Sequence, residues 1–248
     1  MTLTLADPSL LRDALFIAGE WQHPAQCDTL DVVNPATGMV LASVASGRRE
    51  DAVAAIDAAE GALRDWSART AKERSTLIRR WHDLIVENVD DLARILTAEQ
   101  GKPIAEARGE ILFGAAFFEW FAEEAKRVYG ETIPAPNSDQ RLLVLRQPVG
   151  VCAAITPWNF PMAMIPRKAA PALAVGCTMV LKPASATPLS ALALAELADR
   201  AGIPPGVFSV VPGAASLIGD ELISNPKVRK VTFTGSTEVG SMLMAKAA

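Results

Sequence analysis

An α/β protein built around a parallel sheet is predicted by two observations. Four short apolar runs in the last hundred residues alternate with helix-like segments, and each ends in a break rich in proline, glycine or small polar residues. Strands that alternate with helices pair in parallel through crossover helices. A further observation puts a helical region ahead of that sheet: apolar residues at helical spacing recur between residues 50 and 128.

A chain of 248 residues can bury a sizeable core in one large domain or two. Half the residues are hydrophobic, 21% are charged, and the net charge of −4 contains no block of like charge. That balance does not indicate a nucleic-acid or anionic-membrane partner. Residues 1–15 carry Asp7, Arg12 and Asp13 and lack the apolar core of a signal peptide. The stretch Leu189 to Ala198 is too short to span a bilayer and includes Glu196. Cys27, Cys152 and Cys177 are odd in number and widely spaced, so they offer neither a disulfide framework nor metal-ligand spacing. A reducing cytoplasm is the expected compartment.

Leu15 to Trp21 reads as a strand running into a turn. Asp31–Val33 and Met39–Leu41 flank Asn34-Pro35-Ala36-Thr37-Gly38, a hairpin connection. Glu50 to Trp66 is helical, with Val53, Ile56, Leu63 and Trp66 on one face. Thr70 to Glu87 is a second helix with a stripe of Leu77, Ile78, Trp81, Leu84 and Ile85. A third, Asp90 to Gln100, stops at Gly101, a C-terminal cap. Pro103 to Val128 reads as one long helix that starts at a proline and ends before Gly130. After the break Pro134 to Asp139, Arg141 to Arg146 is an isolated apolar strand, expected to pair elsewhere, for instance with another subunit.

The alternating region follows. Its strands are Val151–Ile155, Thr178–Leu181, Phe208–Val211 and Val231–Thr234. Thr187 as N-cap, Pro188 as first residue and Gly202 as stop define the helix Pro188 to Ala201. A last helix covers Met242 to Ala248, and there is no internal repeat or low-complexity segment.

Ligands of such sheets bind outside the carboxyl ends of the strands. The first of these ends is Thr156-Pro157-Trp158-Asn159-Phe160-Pro161, a loop stiffened by two prolines. Its Asn159 amide is suited either to donate to a developing oxyanion or to cap a turn. Lys182, held by Pro183, can reach ribose hydroxyls or phosphate, or stay solvated. Ser185 either belongs to the loop leading to the next helix or meets a ribose. A serine there, unlike an acid, does not repel a 2′-phosphate. Gly235-Ser236-Thr237-Glu238-Val239-Gly240 opens a helix and lets backbone N–H groups approach a pyrophosphate, though its spacing matches neither G-x-G-x-x-G nor a P-loop.

Together these motifs resemble the cofactor domain of the NAD(P)-dependent aldehyde dehydrogenases. The resemblance runs from Phe16-Ile17-Ala18-Gly19-Glu20-Trp21 onward and includes Ile155 to Pro161, Lys182 to Ser185 and Phe233 to Gly240. It implies an α/β fold with a Rossmann-like parallel sheet and a helical N-terminal region, without the catalytic domain. Residues 1–135 would hold the N-terminal β-element and helices, 136–148 an oligomerisation arm, and 149–248 an incomplete NAD(P)-binding region.

By the same resemblance Asn159 is the oxyanion donor. Thr156, Pro157, Trp158, Lys182, Ser185, Gly235 and Ser236 contact the dinucleotide. Ser185 tips the cofactor toward NADP, with NAD as the alternative. Glu119 to Glu124 and Met162 to Lys168 are similar to succinate-semialdehyde dehydrogenases. In that group an arginine at the position of Arg167 is associated with the substrate carboxylate, and Phe160 and Met164 match tunnel positions. Trp120 and Phe121 either join that lining or belong to the core. The implied substrate is a small carboxylated aldehyde, and the complete enzyme is expected to be a homo-oligomer.

The family's chemistry uses a cysteine nucleophile and a glutamate base. Both lie beyond the Gly235 motif, past Ala248. Cys152 and Cys177 sit in apolar runs, Cys27 lies in the β-region, and none has a neighbouring base. The expectation is therefore an N-terminal portion, inactive alone, of an enzyme that oxidises succinate semialdehyde with NADP. Glutarate semialdehyde as substrate and a non-catalytic binding or assembly module are the competing expectations.

Overall fold

The computed structural model describes residues 3–24 and 28–247. Its strands are β1 (Leu15–Ile17), β2 (Glu20–Gln22), β3 (Asp28–Val33), β4 (Val40–Ser46), β5 (Glu131–Ile133), β6 (Leu142–Val144), β7 (Val151–Ile155), β8 (Thr178–Lys182), β9 (Phe208–Val210) and β10 (Val228–Phe233). Its helices are α1 (Arg49–Ala68), α2 (Ala71–Glu87), α3 (Val89–Gln100), α4 (Ile104–Glu124), α5 (Pro166–Ala174), α6 (Leu189–Ala201), α7 (Asp220–Ser224) and α8 (Thr237–Ala247).

The predicted parallel sheet is present. Six strands take the order β10-β7-β8-β9-β1-β2, and β7 to β10 are mutually parallel. The chain enters at β7, moves outward through β8 and β9, and returns to lay β10 on the other side of β7. The strand order thus reverses between β7 and β10, which opens a crevice beyond their carboxyl ends.

Both faces of β7, β8 and β9 are covered, so these strands are buried almost throughout instead of alternating, whereas β10 keeps Arg229 and Lys230 exposed. Cys152, Ala154, Met179 and Leu181 face one core, shared with Trp81, Phe118 and Leu173. Val151, Ala153 and Val180 face the other, shared with Ala52, Ile56 and Ile218 of the α1 side. The two-residue period of the strands sorts neighbouring residues into opposite cores.

Several boundaries differ from expectation. Leu15 to Trp21 is not one strand: Ala18 and Gly19 both have positive φ (56° and 81°) and turn the chain between β1 and β2. Such a two-residue turn matches the twist of a hairpin. β1 then joins β9 antiparallel through Phe16 and Val210. The long helix ends at Glu124, followed by a short 3-10 turn, and Pro103 is its N-cap. Arg141 to Arg146 is not isolated, because β6 pairs with β5 as an antiparallel hairpin.

Thr187 does not cap α6. The cap residue is Pro188, and the Thr187 hydroxyl is buried without a partner among the described residues. The capping acceptor is instead Glu99, at the end of α3, which takes hydrogen bonds from the Leu189 and Ser190 amides at 2.7 and 2.8 Å and from the Ser190 hydroxyl. Cys27 lies outside the described residues.

Candidate functional site

The predicted strand-end residues meet at one edge of the sheet. The Thr156 N–H donates to the Lys182 carbonyl at 3.2 Å, and the Thr234 N–H donates to the Ile155 carbonyl at 3.1 Å. These bonds hold the ends of β8, β7 and β10 side by side. The Ser185 hydroxyl donates to the Gly213 carbonyl at 3.1 Å and ties the β8 exit to the β9 exit.

Two groups at this edge have unmet capacity. The Lys182 ammonium is 4% exposed as a residue and donates to the Pro183 carbonyl at 2.9 Å. Burial pulls it down to about 8, because an ammonium in a poorly solvated place favours its neutral form. The Thr156 hydroxyl is buried with no partner among the described residues. A buried cation and an orphaned hydroxyl suit a ligand that carries hydroxyls and phosphate oxygens.

The turn after β10 is shaped by packing. A Cβ at Gly235 would run into the Phe233 ring, which would have to turn aside to admit one. The Ser236 hydroxyl accepts from the Val239 N–H at 3.3 Å and starts α8. Phe233, Thr234, Gly235, Ser236 and Gly240 border an open groove of about 450 Å³.

Beyond β7 the chain enters the two-proline loop. Trp158, Asn159 and Phe160 are exposed, and Pro157 is half-buried. Four contacts from Lys102 and Glu110 fix this loop. The Lys102 ammonium donates to the Asn159 carbonyl at 3.0 Å and sits 4.2 Å from the centre of the Phe160 ring. It also bonds the Glu110 carboxylate. Glu110 in turn accepts from the Met162 and Ala163 amides at 3.0 and 3.1 Å. Gly114, one turn further along α4, lets the loop pass closely, since a Cβ there would meet Ala163 Cα at 3.2 Å.

Arg167 stands apart from the strand ends. Its guanidinium is 5.8 Å from the centre of the Phe117 ring on α4. It borders a cavity of about 570 Å³ with Cys152, Lys168, Cys177, Met179 and Lys230. Arg167 has no carboxylate partner among the described residues. Met164 is half-buried, and its N–H donates to the Phe160 carbonyl at 3.3 Å. Phe121 is half-buried against the core and Trp120 is 64% exposed.

Cys152 and Cys177 are each 2% exposed. A hydrogen bond between them, together with burial, pushes the Cys152 thiol up, while the same bond and the Gly150 and Val149 amides pull Cys177 down against burial. Neither offers an open sulfur to an aldehyde.

Sequence reading missed Lys102, Glu110 and Lys168. The Lys168 ammonium donates to the Thr234 hydroxyl at 2.5 Å and is pulled down by burial and by Arg167. A signal existed for Glu110. It falls on the same face of α4 as Ala107, Ile111, Gly114 and Phe118, which are all buried. A carboxylate inside an apolar stripe needs a buried partner.

Comparison with known proteins places this geometry. The family model described as the aldehyde dehydrogenase family matches residues 21–248. The glutarate-semialdehyde dehydrogenase of Pseudomonas aeruginosa is 60% identical over 99% of this chain and 51% of its own length. The NADP(+) succinate-semialdehyde dehydrogenase GabD of Escherichia coli is 60% identical over the same shares, 99% and 51%. A crystal structure of an aldehyde dehydrogenase from Brucella melitensis biovar abortus 2308 superposes with a TM-score of 0.98 at 60% identity, covering 99% of this chain and 51% of that one. The chain spans about half the length of the relatives it matches.

Proposed function

We infer, since the chain belongs to the aldehyde dehydrogenase family, that it forms the cofactor and oxyanion half of an enzyme oxidising a small ω-carboxylated aldehyde with NADP. The reading rests on one observation above others. The buried Lys182 ammonium lies at the carboxyl edge of the sheet against a backbone carbonyl, and the orphaned Thr156 hydroxyl follows the end of the neighbouring strand. Lys182 and Thr156 would hold ribose and phosphate oxygens, and the Gly235–Ser236 turn would receive the pyrophosphate. When bound, the dinucleotide supplies a hydride acceptor.

The remaining work belongs to side chains of the chain itself. Trp158 and Pro157 wall the site, and Asn159 is free to donate its amide to the oxygen of an aldehyde under attack. Arg167, exposed and without an acidic partner among the described residues, pairs with the distal carboxylate, which a permanently charged fork binds well. Phe160 and Met164 line the space between. Because both described cysteines are buried, the nucleophile comes from outside these residues. Ser185 favours NADP by lacking the negative charge that would repel a 2′-phosphate, although its proton is engaged by Gly213.

The substrate assignment is tested in the complete encoded polypeptide. Replacing Arg167 with alanine should raise KM for succinate semialdehyde by roughly 10- to 100-fold, the loss of a charge-assisted hydrogen bond. KM for an uncharged aldehyde of the same length should stay within about twofold. Equal effects on both would remove Arg167 from the site. A second substrate is favoured by the 60% identity shared with a glutarate-semialdehyde dehydrogenase. One methylene discriminates by about 10- to 200-fold at most, so kcat/KM measured in competition between the two aldehydes decides between them.

A further inference from the structure

The geometry points to Lys102 and Glu110 as positioning residues that hold the Asn159 amide in its working orientation, an inference that rests on the reading of Asn159 as oxyanion donor. Neither residue touches the reacting atoms in that reading. Both act through the loop backbone.

The loop needs external anchors. Pro157 and Pro161 have no N–H to give, so the segment between them cannot stabilise itself with a hydrogen-bonded ladder. Its start is held where the Thr156 N–H meets the Lys182 carbonyl at 3.2 Å. Its far end is held by Glu110, which accepts both the Met162 and Ala163 amides. Its middle is held by Lys102 through the Asn159 carbonyl at 3.0 Å. Fixing that carbonyl fixes the peptide plane after Asn159 and limits where its side chain can point. The same ammonium lies 4.2 Å from the centre of the Phe160 ring, so the next side chain is oriented as well.

Burial makes the arrangement stiff. The Glu110 side chain is 1% exposed and the Lys102 side chain 11% exposed. The Glu110 end of the pair has little water to swap partners with. Preorganised donors stabilise an oxyanion only when they are already in place, and a displacement of about 1 Å can cost about 100-fold in rate.

The test uses the complete encoded polypeptide. Lys102→Met alone would strand the Glu110 charge, so the informative variant is Lys102→Met/Glu110→Gln, in which the side-chain amide oxygen introduced on α4 still accepts the Met162 and Ala163 amides. We expect hydrogen exchange across residues 157–165 to quicken by about tenfold or more, with α2 and α3 unchanged. We expect kcat to fall by about 10- to 100-fold, a larger change than any in KM for the dinucleotide. In an Asn159→Ala background the double substitution should cost nothing more, because the group it positions is gone. Unchanged exchange in the loop, or kcat losses that multiply with that of Asn159→Ala, overturns the inference alone. If Asn159→Ala leaves kcat intact, the oxyanion reading fails and the inference falls with it.

Discussion

Lys182 shows how one buried charge can prepare a site. Burial pulls its ammonium down to about 8, so in the free protein it carries its charge reluctantly just above neutrality. A phosphate oxygen alongside would favour the charged form. Deprotonation removes the cation, so affinity for NADPH should fall as pH rises through about 8. Lys182→Met should weaken binding by roughly 10- to 100-fold and abolish that pH dependence. Fluorescence titration of NADPH against both proteins across about pH 7 to 9 checks this. A wild-type affinity that is flat with pH would take Lys182 out of the contact.

Among the elements, α6 depends on a neighbour more than on its own sequence. The helix is buried nearly all round, so its first N–H groups have no water to turn to. Glu99 from α3 supplies the acceptors. Burial raises the Glu99 carboxyl to about 7, against hydrogen bonds from Ser190 and Leu189 that pull it down. Its proton is held more tightly in the folded protein than in the unfolded one. The resulting stability is fully present below about 4.5 and is lost as pH rises to about 7. Urea midpoints should therefore decline over that window in the wild type and lose that component in Glu99→Gln. Glu99→Ala should cost about 2 kcal/mol or more at any pH, because two buried amides lose their acceptor. A midpoint equal to wild type would mean water replaces the carboxylate.

What could be read at this scale was what is local. The stripe of α2, the αL cap at Gly101 (φ 92°) and the four parallel strands all follow from short-range pattern. Of the candidate site, the residues at the strand ends could be found because unusual residues interrupt apolar runs there. The Glu99 cap could not be found, because its partners lie 90 positions away and an isolated glutamate at a helix end reads as solvated. Thr187 had the right chemistry for a cap and the right place in sequence, yet the tertiary acceptor displaced it. The Lys102–Glu110 anchor was hidden for the same reason: its partner loop is 52 positions further on.

In the whole molecule, one strand reversal creates the crevice and one hairpin leaves it. β5 and β6 are exposed along their whole length, with Leu143 of β6 69% exposed and Leu145, just after it, 78% exposed. Exposed apolar strand residues of this kind mark a surface that another chain can cover. If the hairpin serves as an oligomerisation arm, Leu143→Asp should lower the mass seen by light scattering of the complete polypeptide. It should leave the stability of an isolated subunit within about 0.5 kcal/mol, as expected for a surface change. Unaltered mass would free the hairpin from that role. No helix among the described residues is long and apolar enough to cross a membrane.

The antiparallel join of β1 to β9 sets an order of events during synthesis. Phe16 waits for Val210, and Asp7 waits for Arg200, 193 positions later. Arg12 likewise has no Glu196 until α6 exists. A ribosome releases the amino terminus first, and that segment can reach Ala45 of β4 and Asp91 of α3 early, yet β1 has no neighbour in the parallel part of the sheet until β9 has emerged. The earliest-made strand is thus among the last to find its place, and while it waits β9 presents a bare backbone edge of the kind that recruits stray strands. Chaperone capture of nascent chains longer than about 210 residues would be shortest in a variant whose first strand docks fastest.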